Sequence, residues 1–271
     1  FSCNCSWWGS EMKYVGSIVS VFLLSLTLIS CQKSLNNFGI PDASGFSAVV
    51  TSSYPAVVKI ILPSSSGLCT GTFVSERAVL TAAHCTSTAG TYTVMSSFGT
   101  FRTSLVQSYG NGVVSDDNDI SFLIFNEAVA SRSAGQVASL FSRSNSGDLI
   151  RIVGFGCNDL ANRTGSGTKR TATNRISFID EYLNIVTPYK SNGRGIIGYA
   201  AQGGACFGDS GGPMALENGN DKDLKLVGAT HAGGDQGDGT SLSQYTDLTR
   251  SDNRNFISQV NSQYGLNISG I

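Results

Sequence analysis

The chain is poor in histidine, in charge and in helix-forming runs, and each shortage excludes a class of function. Only two histidines occur in 271 residues, His84 and His231. That is too few for a histidine-rich metal site, and it makes each one a candidate for chemistry of its own. Charged residues are 14% of the chain, 18 basic against 19 acidic. Nucleic-acid binding needs a concentrated excess of Lys and Arg, so nucleic acid is not an expected partner. Runs of Lys, Glu and Leu are scarce, whereas glycine is abundant at 32. Serine and threonine are also frequent, and this balance suits short strands joined by tight turns. No internal repeat is visible. The length admits one domain of two packed halves, or two small domains.

Tryptophan is confined to Trp7 and Trp8, ahead of Met12. Residues 1–11 read as an over-extended frame or a fragment edge. Lys13 then precedes an apolar run from Val15 to Ile29, softened by Ser17, Ser20, Ser25 and Thr27. Its length fits a signal-peptide core and is short for a membrane span. The run ends in Leu28-Ile29-Ser30-Cys31, which resembles the lipobox of bacterial lipoproteins. The resemblance implies a lipid on Cys31, the mature N-terminus, and a protein anchored to the cell envelope, or secreted if Cys31 is not lipidated. Gln32 after the cysteine implies the outer membrane in a Gram-negative source. The expected organisation is a leader and signal peptide over 1–30, a lipidated tether over 31–47, a folded domain over 48–265 and a tail over 266–271.

With Cys3 and Cys5 in the leader and Cys31 at the lipid, four cysteines remain: Cys69, Cys85, Cys157 and Cys206. An even set in an exported domain implies disulfides, in any of three connectivities. Ala56–Leu62 is a β-favouring run stopped by Pro63 and a Ser-Gly turn. Further strands are expected over Cys69–Val74, Ala78–Ala82, Tyr92–Met95, Ile120–Phe125, Ile150–Phe155, Tyr182–Val186 and Leu224–Thr230. Gly156–Arg175 is polar and glycine-rich and reads as a long surface loop. Only the C-terminus has helical spacing, at Phe256, Ile257, Val260 and Tyr264, with Ser251 or Asp252 as the cap. Regular strands with one terminal helix predict an all-β barrel architecture.

Three strings carry chemistry. In Gly208-Asp209-Ser210-Gly211-Gly212-Pro213, the glycines allow the tight, exposed turn a nucleophilic serine needs. They also let the amides of Gly208 and Ser210 converge on one spot, where an oxyanion could sit. Thr81-Ala82-Ala83-His84-Cys85 follows an apolar run, so His84 stands where a buried strand reaches a loop. A disulfide at Cys85 would clamp that ring, and Cys69, in a neighbouring strand, is the natural partner. In Asn118-Asp119-Ile120, an acid enters an apolar strand and needs a buried partner; a histidine Nδ1–H is suitable. Asp116 and Asp117 compete for that role from the turn side.

These strings, in the order His, Asp, Ser, resemble the signature regions of the trypsin/chymotrypsin serine protease family, over roughly Tyr54 to Tyr264. The resemblance implies two six-stranded antiparallel β-barrels with the active site between them and a C-terminal α-helix. It implies His84, Asp119 and Ser210 as the triad and the Gly208 and Ser210 amides as the oxyanion hole. Gly204 would lie at the base of the primary specificity pocket, with Gly233 and Ser243 on its walls. A Cys157–Cys206 bridge also follows from the resemblance.

Departures from the family carry expectations of their own. Gly204 stands where a trypsin has an acid, so a preference for Lys or Arg is not expected. His231 stands at a usual serine, and either hydrogen-bonds Asp119 or faces the pocket as a histidine does in glutamyl endopeptidases; the first fits the register better. Ala232 replaces a usual tryptophan and should widen the cleft. No Ile or Val before a Gly pair, the family's usual freed amino terminus, precedes Tyr54; either Asp209 has another cationic partner, with Arg151 a weak candidate, or the activation step differs.

The expected function is a serine endopeptidase acting on protein or peptide as a monomer, without metal or organic cofactor. The competing reading is a catalytically silent protease-fold binding protein on the envelope. An esterase of the α/β-hydrolase type fits less well, because that fold places its histidine last.

Overall fold

A computed structural model gives the fold. It describes residues 48–63, 67–112, 118–159, 162–176, 179, 185–190, 204–235 and 240–271. All lie in the compact unit Ile40–Ile271; the other unit, Phe1–Gly39, is outside them. The expected signal peptide, Cys31 and tether therefore lie outside the described residues, as do Asp116 and Asp117.

The strands are β1 Val49–Val50, β2 Val57–Ile61, β3 Leu68–Ser75, β4 Ala78–Thr81, β5 Tyr92–Ser96, β6 Gly99–Thr103, β7 Leu105–Ser108 and β8 Ser121–Ile124. They continue with β9 Ser139–Leu140, β10 Leu149–Gly154, β11 Arg170–Arg175, β12 Ile185–Lys190, β13 Pro213–Leu216, β14 Lys225–Asp235 and β15 Thr240–Asp247. Among the described residues one α-helix, α1, follows at Ser251–Tyr264. The first sheet runs β6-β5-β2-β3-β4-β8-β7 and the second β1-β11-β10-β13-β14-β15-β12, with β9 beside β14.

The all-β class, the two sheets and the C-terminal helix agree with the sequence. The sheets hold seven and eight strands where six each were expected. Ser104 divides one continuous stretch into β6 and β7, which stand at opposite ends of the first sheet's order, and the two-residue strands β1 and β9 join the second sheet. β9 is parallel to β14, a local exception to antiparallel pairing.

Several strands read as continuous apolar runs because both of their faces are covered. In β4, Val79 points into the core of the first sheet, with Val58, Ile60, Phe73 and Leu123. Its neighbours Ala78 and Leu80 point the other way, into a core shared with Phe122, Ile124, Val153, Leu226 and Ile257. β8 alternates in the same manner, so the pleat distributes one run between two cores. A third cluster, Ile150, Ile152, Met214, Val227 and Tyr245, fills the second sheet. Burial of each such side chain contributes about 1.5–3 kcal/mol.

Two expectations need correction. β11 lies inside the segment 156–175 expected to be loop. Its polar side chains Thr171 and Asn174 are buried, so the apolar alternation that marks a strand is missing. Helix α1 begins after Arg250, which makes no side-chain cap, and Ser251 and Asp252 fall in the first turn. Asp252 still suits the positive end of the helix dipole. Of the expected strand Tyr182–Val186, residues 182–184 lie outside the described residues, and β12 starts at Ile185. At its other end the helix closes on Gly265, left-handed at φ 59°, whose N–H donates to Asn261 O.

Candidate active site

His84 sits in a single 3₁₀ turn, Ala83–Thr86, directly after β4. Cys85 in that turn is bonded to Cys69 in β3, and Thr86 Oγ1 donates to Ser121 Oγ at 2.8 Å. The turn is thus tied to β3 and β8. Asp119, fully buried, precedes β8. Its Oδ1 accepts the His84 backbone N–H at 2.9 Å. Its Oδ2 accepts two imidazoles, His84 Nδ1 and His231 Nδ1, each at 2.6 Å. Burial favours the neutral acid, but the two imidazoles and the amide outweigh it and hold the Asp119 carboxyl well below the usual range. An ionised Asp119 has no proton to give, so both Nδ1 atoms carry hydrogen. The His84 Nε2 lone pair is left for acid–base work. The two rings meet edge to face, with centroids 6.1 Å apart.

Ser210 reaches the same cleft from the second sheet. Its carbonyl accepts the Thr70 N–H at 2.9 Å. Gly211, at φ +77°, is pressed against the end of β4: a Cβ there would come within 2.0 Å of Thr81 Oγ1. Only glycine permits both that backbone and that approach. The Phe207 carbonyl accepts Cys157 N–H at 2.9 Å and the Ser166 hydroxyl at 3.3 Å. A trans peptide points its C=O and N–H in opposite directions, so the Gly208 N–H is turned away from that loop. Among the described residues neither the Gly208 nor the Ser210 amide has an acceptor. His84, Ser210, Gly208 and His231 line one cleft of about 630 Å³, together with Leu68, Ala205, Phe207 and Gly233.

The Trypsin family profile matches residues 43–254. The chain belongs to the trypsin family. No curated protein matches the sequence. Among solved structures, a Glu endopeptidase in complex with MPD is similar, with 16% identity over 80% of this chain and 97% of that one, at TM-score 0.58. HBP is similar with 20% identity over 79% and 96%, also at TM-score 0.58. At these identities the likeness shows the chymotrypsin-like fold alone.

Within this trypsin-family domain, the second disulfide joins Cys157 and Cys206, the pairing the resemblance implied. Disulfides belong to oxidising compartments, which indicates an exported domain. Among the described residues no helix is long and apolar enough to cross a membrane.

Arg151 is not the partner of Asp209: it pairs with Glu217, at the far end of β10. Fully buried Asp209 accepts Gly156 N–H at 2.7 Å and Cys206 N–H at 2.9 Å, with Arg170 the cation that acts on it. Arg170 is itself buried and donates to the carbonyls of Gly156, Gly165 and Thr168. Burial pushes the Asp209 carboxyl up to about 7, against the pull of both amides and Arg170. Cβ atoms on Gly154 or Gly156 would fall 2.0–2.2 Å from its oxygens, so both glycines make room for it.

Gly204 is buried, and Ala205 faces the cleft beside it. Buried Ser243 accepts the Ala205 N–H at 2.8 Å. Gly233 stands against Ala205, with a Cβ there reaching 2.9 Å from the Ala205 carbonyl. The four residues expected around the pocket, Gly204, Gly233, Ser243 and His231, thus lie near one another. His231 is the one turned to Asp119.

The roles of two residues at the site escaped the sequence reading. Thr70 Oγ1 donates to Gly208 O at 2.8 Å and accepts Phe155 N–H at 3.0 Å. Together with its N–H on Ser210, this joins β3 to the serine turn. Nothing in the sequence around Thr70 signals that role. Asn118 Nδ2 donates to Asn253 Oδ1 at 2.8 Å and Asp252 Oδ2 at 3.0 Å, which ties the approach to Asp119 to the first turn of α1.

His84, Asp119 and His231 could offer ligand atoms to a metal. Each Nδ1, however, stands at hydrogen-bond distance from Oδ2. Tetrahedral ligands at about 2.0 Å from a zinc ion lie more than 3 Å apart, so the donor set does not fit a metal. Cys69 and Cys85 are likewise engaged in their disulfide.

Proposed function

We propose that the chain is a serine endopeptidase that hydrolyses peptide bonds through an acyl-enzyme. The observation that carries this reading is Asp119 holding His84 Nδ1 in the cleft that Ser210 lines. Ser210 Oγ attacks the scissile carbonyl while His84 Nε2 takes its proton. The developing oxyanion receives the Gly208 and Ser210 amides. Imidazolium His84 then gives its proton to the leaving amine, and water repeats the sequence to release the acyl group. One oxyanion donor is worth on the order of 3 kcal/mol in the transition state.

Asp119 steadies the imidazolium, and His231 steadies Asp119 in place of the usual serine. Asp209 has two amides and Arg170 around it, so the serine turn is held without a freed amino terminus. No carboxylate lines the cleft among the described residues. That supports a preference other than Lys or Arg, and Ala232 leaves the cleft wide. The protease domain extends over 48–265, follows a tether over 31–47 lipidated at Cys31, and works as a monomer on the envelope.

The test is hydrolysis of a peptide library by the wild-type domain and by Ser210→Ala. Cleavage that disappears with Ser210→Ala is expected, without strong selection for Arg or Lys beside the scissile bond. Binding of peptides without Ser210-dependent cleavage would instead establish the silent binding protein.

A further inference from the structure

The cleft continues from Ser210 in two directions. On one side Ala205 and Gly233 stand face to face; on the other, Leu68 packs on Gly208 and Ser166 bonds Phe207. Phe207 closes this second arm and is 52% exposed. The Arg163 guanidinium lies over its ring, 4.5 Å from the centroid.

The placement of Arg163 is built into the chain. Its backbone is left-handed at φ 54°, a conformation that costs a non-glycine residue on the order of 1 kcal/mol. The turn that imposes it is pinned on both sides. Asn158 N–H and Asp159 N–H donate to Thr164 O, and Thr164 N–H donates to Asp159 O. The Asp159 carboxylate accepts Asn162 N–H at 2.9 Å. Cys157, next to the turn, is bonded to Cys206, next to Phe207. One disulfide therefore fixes both the ring and the cation above it.

Arg163 has no carboxylate partner among the described residues, and its side chain is exposed. A second cation flanks the same arm: Lys59 Nζ lies 3.9 Å from where a Cβ on Gly167 would stand, beside Ser166. No acid lines the arm among the described residues.

Resting on the peptidase reading above, we infer that Arg163, seated on Phe207, selects an acidic side chain in substrates. It does so on the flank of the scissile bond that occupies the Leu68–Ser166 arm. Arg163 touches neither Ser210 nor His84; it is a specificity determinant, and the carboxylate it meets is an Asp or Glu of the peptide.

The test compares peptides that differ only by Asp against Asn, or Glu against Gln, at each position flanking the scissile bond. Wild type should favour the acid at one position on a single flank of the scissile bond by about threefold to fivefold in kcat/KM, the scale of an exposed ion pair, and less at high salt. Arg163→Asn, which tolerates the left-handed backbone, should abolish that preference and leave those on the other flank unchanged. Arg163→Glu should turn it toward Lys. An enzyme indifferent to the acid, or a preference unmoved in both variants, overturns the inference. The affinities of Ser210→Ala and of Ser210→Ala/Arg163→Asn for the same peptides decide the question apart from turnover. If no peptide is cleaved, the peptidase reading fails, and the inference about Arg163 still stands or falls on those affinities.

Discussion

His231→Ala probes the least usual part of the site. Asp119 is fully buried and has three donors: the His84 amide, His84 Nδ1 and His231 Nδ1. Alanine removes one of the two donors on Oδ2. A hydrogen bond to a charged acceptor contributes about 1.5–3 kcal/mol. His231 is only 13% exposed, so water replaces the lost ring poorly. If that energy is lost where Asp119 balances imidazolium His84, kcat falls roughly 10- to 100-fold. Because His231 itself lines the cleft, kcat rather than KM is the readout of its bond to Asp119. His231→Asn can place an N–H near the Nδ1 position and should recover activity to within about threefold.

The stability profile offers a second readout. Asp119 is held below the usual carboxylate range, so its contribution is present above the ordinary Asp pKa and is lost as the pH falls below it. With one donor gone the carboxyl moves back toward its unfolded value, so that loss is smaller and is complete at a higher pH. Steady-state kinetics and urea unfolding from pH 3 to 7 check both effects. Equal kcat in His231→Ala and wild type would refute the reasoning. So would loss of kcat in His231→Asn as large as in His231→Ala with both variants folded.

Two other outcomes are expected. Replacing Cys69 and Cys85 together should cost about 3 kcal/mol in urea unfolding, the entropy of closing a loop of their 16-residue separation, and should lower kcat by releasing the His84 turn; unchanged kcat would separate the bridge from the histidine. The raised pKa of Asp209, about 7, means the folded state binds the extra proton. Its stabilisation is therefore full below the ordinary carboxylate pKa and is lost as pH rises through about 7. Wild type should lose stability between pH 5 and 8.5 relative to Asp209→Asn, and parallel pH curves for the two proteins would contradict the burial argument.

The meeting of Asp119, His84 and the Ser210 turn at one cleft was legible from their short, glycine-bounded strings, the contexts that nucleophilic chemistry would demand. The main strands were legible because both of their faces are apolar. β11 was hidden because its inward residues are Thr and Asn, and polar side chains carry no period that reveals burial. The role of Thr70 was hidden for another reason: a hydroxyl that links two distant segments leaves no mark on its own neighbourhood. The cation near Asp209 was not legible: Arg151 was no more than a weak candidate, because strand pairing decides which cation reaches a buried carboxylate. Pairing of β10 with β11 and β13 instead gave Arg151 to Glu217 and left Arg170 near the carboxylate. The register that put His231 at a serine position predicted its bond to Asp119, and both of its readings keep it at the cleft.

The central claim is that Ser210 is a nucleophile activated by His84. Its most direct measurement is labelling of the purified domain by a fluorophosphonate, with the modified residue located by mass spectrometry. One phosphonyl group on Ser210 is predicted, slowed by at least about 100-fold in His84→Ala and absent in Ser210→Ala. A folded wild-type domain that takes no label at Ser210, or that labels equally well without His84, would contradict it.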